Sequence, residues 1–231
     1  MKPKVLFFPS AWSNHEIFLS QKTALEKNYE VVFPNIHQFK DIEKMADFVV
    51  NNYQETYCII GLSMGGFIVQ DILTRYPNFT SKAVLMGIYA NAHNNEQKAF
   101  FNECIEKIKQ GKLSELTSLY AEAVLSQEGF NNSELRNIVE NFPLKLGAEV
   151  CINHHLACSN WKEHSASFKF IKTKTLVLAG EKDVAVPVSE VKKLADLIPH
   201  SKFEIILKAG HLMTLEQPII VNQQLSLFLQ Q

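Results

Sequence analysis

A serine held between two glycines, Gly61-Leu62-Ser63-Met64-Gly65, carries the strongest chemical signal in the chain. Tyr57-Cys58-Ile59-Ile60 precedes it as a β-favouring run, and Phe67, Ile68, Ile72 and Leu73 follow at helical spacing. The pattern predicts strand, sharp turn and helix. A serine in such a turn takes strained backbone angles that push its hydroxyl clear of the sheet, so the positions two before and two after it must lack bulk. Gly61 and Gly65 meet that need, and Gly66 lets the helix lie close on its strand. The chemistry this predicts is nucleophilic attack by Ser63. Its N-terminal helix amides, Met64 first, would face the place where negative charge develops.

A serine hydroxyl at neutral pH is a poor nucleophile without a base, which is itself oriented by an acid. Among eight histidines, only His211 follows a glycine at a strand end and precedes a late helix, in Lys208-Ala209-Gly210-His211. For the acid, the strand Thr175 to Ala179 runs into Gly180-Glu181-Lys182-Asp183-Val184-Ala185-Val186-Pro187, which offers Glu181 and Asp183.

The elements that must position these groups alternate along the chain. Strands are expected at Val5 to Phe8, Val31 to Phe33, through Ile60, Lys82 to Met86, Thr175 to Ala179 and Phe203 to Leu207. Helices are expected at His15 to Lys27, Asp41 to Asn51, after Ser63, Val188 to Leu197 and Glu216 to Leu229. Between residues 91 and 170 strand patterns vanish and helical ones dominate: Ala99 to Gln110, Ser114 to Leu125, Ser133 to Asn141 and Glu149 to Ala157. This predicts an α/β fold, a mostly parallel sheet with helices on both faces, whose core is 1–90 and 171–231, with 91–170 as an inserted helical cap. Ligands in such sheets bind beyond the strands' carboxyl ends, where every catalytic candidate falls.

The order Ser63, Asp183, His211, with the serine elbow, the Gly-Glu-Lys-Asp-x-x-x-Pro loop and the Gly-His turn before a terminal helix, resembles the α/β-hydrolase superfamily over essentially the whole chain. The resemblance is to its small, single-domain, capped, esterase-like branch. It implies Asp183 as the orienting acid, since the family usually places a non-catalytic residue where Glu181 stands. It also implies a second oxyanion donor in the loop after the first strand. There the family usually shows His-Gly and then the donor; here Pro9-Ser10-Ala11-Trp12 makes Ala11 the donor by position and puts Ser10 in the glycine's place. The family's sheet often begins with two further strands, which makes this a short member.

The expected function is therefore a serine hydrolase, a carboxylesterase-like enzyme that cleaves a small hydrophobic ester or thioester through an acyl-enzyme, with activity rising through one ionisation near pH ~6.5 to 7. Carbon–carbon bond hydrolases and lactonases share the same triad plan, and a hydrolase-fold ligand sensor with little turnover is the non-enzymatic alternative. Ser10, Trp12, His154 and His155 are candidate substrate contacts. Phe100, Phe101, Leu116, Tyr120, Phe130, Phe142, Trp161 and Phe168 make the cap apolar enough for an acyl or aryl group.

Composition narrows the partners. With 231 residues and a formal charge of −1, scattered lysines form no basic stripe, so no nucleic acid is expected. The opening apolar run is four residues long and stopped by Pro9, too short for a signal or membrane segment, which predicts a cytoplasmic protein with no membrane partner. Four cysteines show no disulfide spacing. Cys151, His154, His155 and Cys158 tempt a zinc reading, but positions seven apart on a helix lie about 10 Å apart along its axis, too far for one tetrahedral ion. Neither metal nor cofactor is expected.

Overall fold

The computed structural model describes residues 1–231. Six strands, β1 Lys4–Phe8, β2 Glu30–Val32, β3 Thr56–Leu62, β4 Thr80–Met86, β5 Lys174–Gly180 and β6 Lys202–Ile206, form one sheet in the order β2-β1-β3-β4-β5-β6. Every neighbouring pair is parallel. All the loops that leave the strands' carboxyl ends therefore gather along one edge.

The pleat sends alternate residues to opposite faces, and both faces are covered. Leu6, Phe8 and Ile59 enter a core of 30 buried residues with α2 (Ile42–Asn52), α3 (Met64–Arg75) and α9 (Val188–Leu197). Val5, Phe7, Cys58 and Ile60 enter a second core of 25 with α1 (Leu19–Leu25) and α11 (Pro218–Gln230). This double burial is why the strands read as apolar runs rather than alternating ones.

Between β4 and β5 lie only helices: α4 Asn95–Lys109, α5 Leu113–Val124, α6 Gln127–Asn131, α7 Ser133–Leu146, α8 Ala148–Ser159 and a 3₁₀ turn Ser165–Phe170. Several expected boundaries differ from the structure. The first helix is a 3₁₀ turn, His15–Phe18, leading into α1, and Asp41 is the N-cap of α2, its carboxylate accepting from Lys44 N–H. Helix α7 runs on through Pro143 and stops only at Gly147, which has φ 82°. The last expected helix is two, α10 (Met213–Glu216) and α11, broken at Gln217 because Pro218 disfavours helical angles in the residue before it.

Candidate active site

Ser63 sits at the junction of β3 and α3 with φ 53° and ψ −118°. That conformation is strained for a residue with a side chain and is held by close packing from both sides. A Cβ on Gly61 would lie 2.2 Å from Gly65 O, and one on Gly65 would lie 2.1 Å from Phe8 O. The Ser63 amide is tied to Met86 O at 2.9 Å and Gly65 N–H to Pro9 O at 3.1 Å, which locks the turn between β1 and β4. Met64, the first residue of α3, has no intrahelical acceptor for its N–H.

Asp183 and His211 come from the loops after β5 and β6, which are neighbouring strands. Lys182 N–H donates to Ala209 O at 2.7 Å and joins the two loops. His211 Nδ1 lies 2.8 Å from Asp183 Oδ2, and both side chains are almost completely buried. The other carboxylate oxygen of Asp183 accepts from Val186 N–H at 2.8 Å. Gly87, at φ 53°, leaves room for the pair: a Cβ there would lie 3.1 Å from His211 Nδ1. Burial opposes charge on the His211 ring, but the Asp183 charge, its hydrogen bond and the more distant Glu216 outweigh it, so its pKa is raised. The competing acid Glu181 is exposed and accepts from Lys208 N–H instead.

Ser63 and His211 line one cavity of about 490 Å³, together with Ser10, Ala11 and Trp12. No hydrogen bond is closed between the Ser63 hydroxyl and the imidazole. Sixteen of the 23 residues lining the cavity are hydrophobic, so it suits an apolar group. Phe100, Phe101, Leu116 and Tyr120 line it, whereas Phe142, Trp161 and Phe168 are buried in the packing beneath and Phe130 packs against the second core.

The loop after β1 is fixed by several bonds. Ser10 O accepts from Ser13 N–H at 3.3 Å and from Ser13 Oγ at 3.0 Å, and Ala11 O accepts from Tyr120 Oη at 3.1 Å. Ala11 N–H has no acceptor within the chain. Trp12, at φ 59°, buries its indole and donates Nε1–H to Cys151 O at 3.1 Å.

The two candidate histidines of α8 part company. His155 lines the cavity between Trp12, at 4.7 Å between ring centroids, and Phe101, at 5.0 Å. Its ring nitrogens have no partner, and burial lowers its pKa to about 3. His154, expected beside substrate, does not line the cavity. It is wholly buried behind the β1 loop, with Nδ1 2.9 Å from Trp12 N and Nε2 3.0 Å from His37 Nδ1.

Three residues to which the sequence reading gives no positioning role also hold the site. Glu216 accepts from Gly210 N–H at 2.9 Å, from Ser126 N–H at 3.2 Å and from the Ser126 hydroxyl, joining the His211 loop to the turn between α5 and α6. Tyr120 and His37 are the others. No three His, Cys, Asp or Glu side chains cluster as metal ligands would, and all four cysteines are unpaired and buried. No helix is long and apolar enough to cross a membrane.

A parallel sheet with the serine on a strand–helix elbow, and an aspartate and a histidine on later strand ends, defines a class. Residues 38–218 match the family model of the α/β hydrolase fold, and the chain belongs to that family. Among curated relatives, BpoC of Mycobacterium tuberculosis, named as a non-heme bromoperoxidase, is 26% identical over 173 residues, 71% of this chain and 64% of its own. A pyrrolizixenacetamide deacetylase of Xenorhabdus hominickii is 24% identical over 69% of this chain and 60% of its own. The chain thus spans less than two thirds of these relatives' length. Among solved structures, a thermophilic esterase of Thermogutta terrifontis superposes with a TM-score of 0.92 at 22% identity, covering 100% of this chain and 90% of the other. An enol-lactonase of Burkholderia xenovorans LB400 superposes with a TM-score of 0.87 at 16% identity, covering 100% and 92%. At these identities the superpositions speak to the fold.

Proposed function

We propose that the protein is a serine hydrolase of small hydrophobic esters or thioesters. Ser63 Oγ attacks the substrate carbonyl as His211 Nε2 takes its proton, and Asp183 holds the imidazole with its Nδ1 proton and stabilises the imidazolium that forms. The Met64 and Ala11 amides receive the oxyanion. His211 then gives its proton to the leaving alkoxide or thiolate, leaving an acyl-enzyme. Water repeats the cycle to release the acid and restore Ser63. No cofactor enters the cycle.

The observation that carries this reading is the 2.8 Å pairing of His211 Nδ1 with Asp183, in a cavity that the serine on its strained elbow also lines. That pairing fixes the tautomer whose free Nε2 can accept a proton. The imidazole and the hydroxyl, which line the same cavity, are brought within hydrogen-bond reach as substrate fills it, a common behaviour of such pairs. The apolar lining supports a hydrophobic acyl group.

The test is labelling by a fluorophosphonate together with turnover of p-nitrophenyl esters of increasing acyl length. Labelling at Ser63 with multiple turnovers is expected, and Ser63→Ala should lose both while keeping the circular dichroism of the wild type. Near wild-type rates in that variant would end the proposal, and labelling with one slow release would favour a ligand sensor.

A further inference from the structure

Ala11 is read above as an oxyanion donor, and the inference that follows rests on that reading. Its N–H lies in a loop without glycine, beside a tryptophan in the left-handed region at φ 59°. Such a conformation persists only where neighbours over-determine it. The two peptide planes that meet at Ala11 are each held by their outer atoms. Ser10 O is gripped by Ser13, Ala11 O by Tyr120, and Trp12 N–H by His154. The one polar group left unbound in this frame is Ala11 N–H.

The histidine bond dictates a protonation pattern. Because Trp12 N–H is a donor, Nδ1 of His154 must be its unprotonated acceptor at 2.9 Å. A neutral His154 then carries its proton on Nε2 and donates it to His37 Nδ1 at 3.0 Å. His37 must in turn be neutral, with its own proton on Nε2. Burial lowers the pKa of both rings and keeps them uncharged. His37 is anchored independently, since its carbonyl accepts from Asn153 Nδ2 at 3.2 Å.

We propose that His154 is a positioning residue for the oxyanion hole: in its Nε2–H tautomer, seated on His37, it clamps the Trp12 amide and so aims Ala11 N–H at the reacting carbonyl oxygen. A helix of the insertion thereby sets the geometry of a donor on the sheet, although its histidine does not line the substrate cavity.

Two measurements test this. Long-range nitrogen–proton NMR on protein labelled with ¹⁵N in its histidine rings should find His154 neutral with the proton on Nε2, and His211 with a proton on Nδ1. A Nδ1–H or doubly protonated His154 at neutral pH overturns the clamp, whatever the activity. In kinetics with p-nitrophenyl butyrate, His154→Gln should lower kcat about 100-fold and change KM less than about threefold, since a misaimed oxyanion donor acts on the transition state alone. A raised KM with kcat preserved would make His154 a substrate contact and overturn the proposal. Should His154→Gln fail to fold, His37 decides: His37→Asn sets an amide oxygen where Nδ1 stands, keeps an acceptor for Nε2–H and should retain most of kcat, whereas His37→Leu should lose about tenfold. Equal rates in the two His37 variants overturn the clamp. Absence of turnover in the wild type would sink the hydrolase reading itself, whereas wild-type turnover with unaffected variants would sink only the role of His154.

Discussion

Replacing Asp183 by asparagine tests the histidine's orientation with the smallest change of shape. The carboxylate uses its two oxygens differently: Oδ1 accepts from Val186 N–H at 2.8 Å, and Oδ2 faces His211 Nδ1 at 2.8 Å. In asparagine only one of those atoms can accept. The Val186 amide is fixed by backbone and can only donate, so it selects the amide oxygen and leaves the NH₂ group facing His211. An NH₂ donor there demands an unprotonated Nδ1, which puts the imidazole's proton on Nε2, on the side of Ser63. A ring in that tautomer cannot take the serine proton. In serine proteases the same tautomer error costs about 10⁴-fold in kcat, or about 5.5 kcal/mol at 1.36 kcal/mol per decade. The expected outcome is a fall of that order in kcat for p-nitrophenyl ester hydrolysis, with unchanged circular dichroism. Imidazole NMR of the variant should show His211 protonated on Nε2. A kcat within tenfold of wild type would refute the orienting role, and a Nδ1–H tautomer in the variant would refute the argument from Val186.

Three further outcomes follow from distances and burial. In the wild type the base must be neutral and its pKa is raised above 6.5, so the acid limb of kcat/KM should lie above pH 6.5, on the high side of the sequence-based expectation; Asp183→Asn should move any residual limb down, because burial is then opposed only by the more distant Glu216. Gly65→Ala would put a methyl group 2.1 Å from Phe8 O and 2.6 Å from its carbonyl carbon, both backbone atoms of β1, and should cost about 1–3 kcal/mol or more, seen by calorimetry as a Tm lowered by roughly 5 °C or beyond. Asp71 is wholly buried against Arg75, with His164 Nε2 at 3.2 Å, and burial raises its pKa despite the guanidinium. Arg75→Met should therefore destabilise by about 3 kcal/mol at neutral pH in urea unfolding, and the deficit should shrink as the pH falls, since protonating a carboxyl whose folded pKa is raised removes its penalty.

The elbow was legible because a backbone constraint writes itself into residue type: only glycine fits at 61 and 65. The strands were legible because burial on both faces makes them continuous apolar runs. Side chains on α8 were not. His154 and His155 are one residue apart, so they point about 100° from each other, and a helix that is buried nearly all round offers no apolar stripe to say which of them meets the cavity. Tyr120, His37 and Glu216 act through partners between 6 and 117 residues away, contacts that the topology alone creates. The pause at Gln217 could have been read from Pro218, but the continuation of α7 through Pro143 could not, since local propensity argues for a stop there.

The stitching of Ser126 and Val124 to the loop that bears His211 has a bearing on how molecules come and go. Leu212 N–H donates to Val124 O at 3.0 Å, and a Cβ on Gly210 would lie 2.4 Å from Ser126 N, so at this corner two backbones touch with a carboxylate riveted between them. Prising α5 and α6 away here would pull on the loop that bears His211, whereas α4, whose Glu96, Gln97 and half-exposed Phe100 line the same cavity, carries no hydrogen bond to that loop and could shift without dragging it.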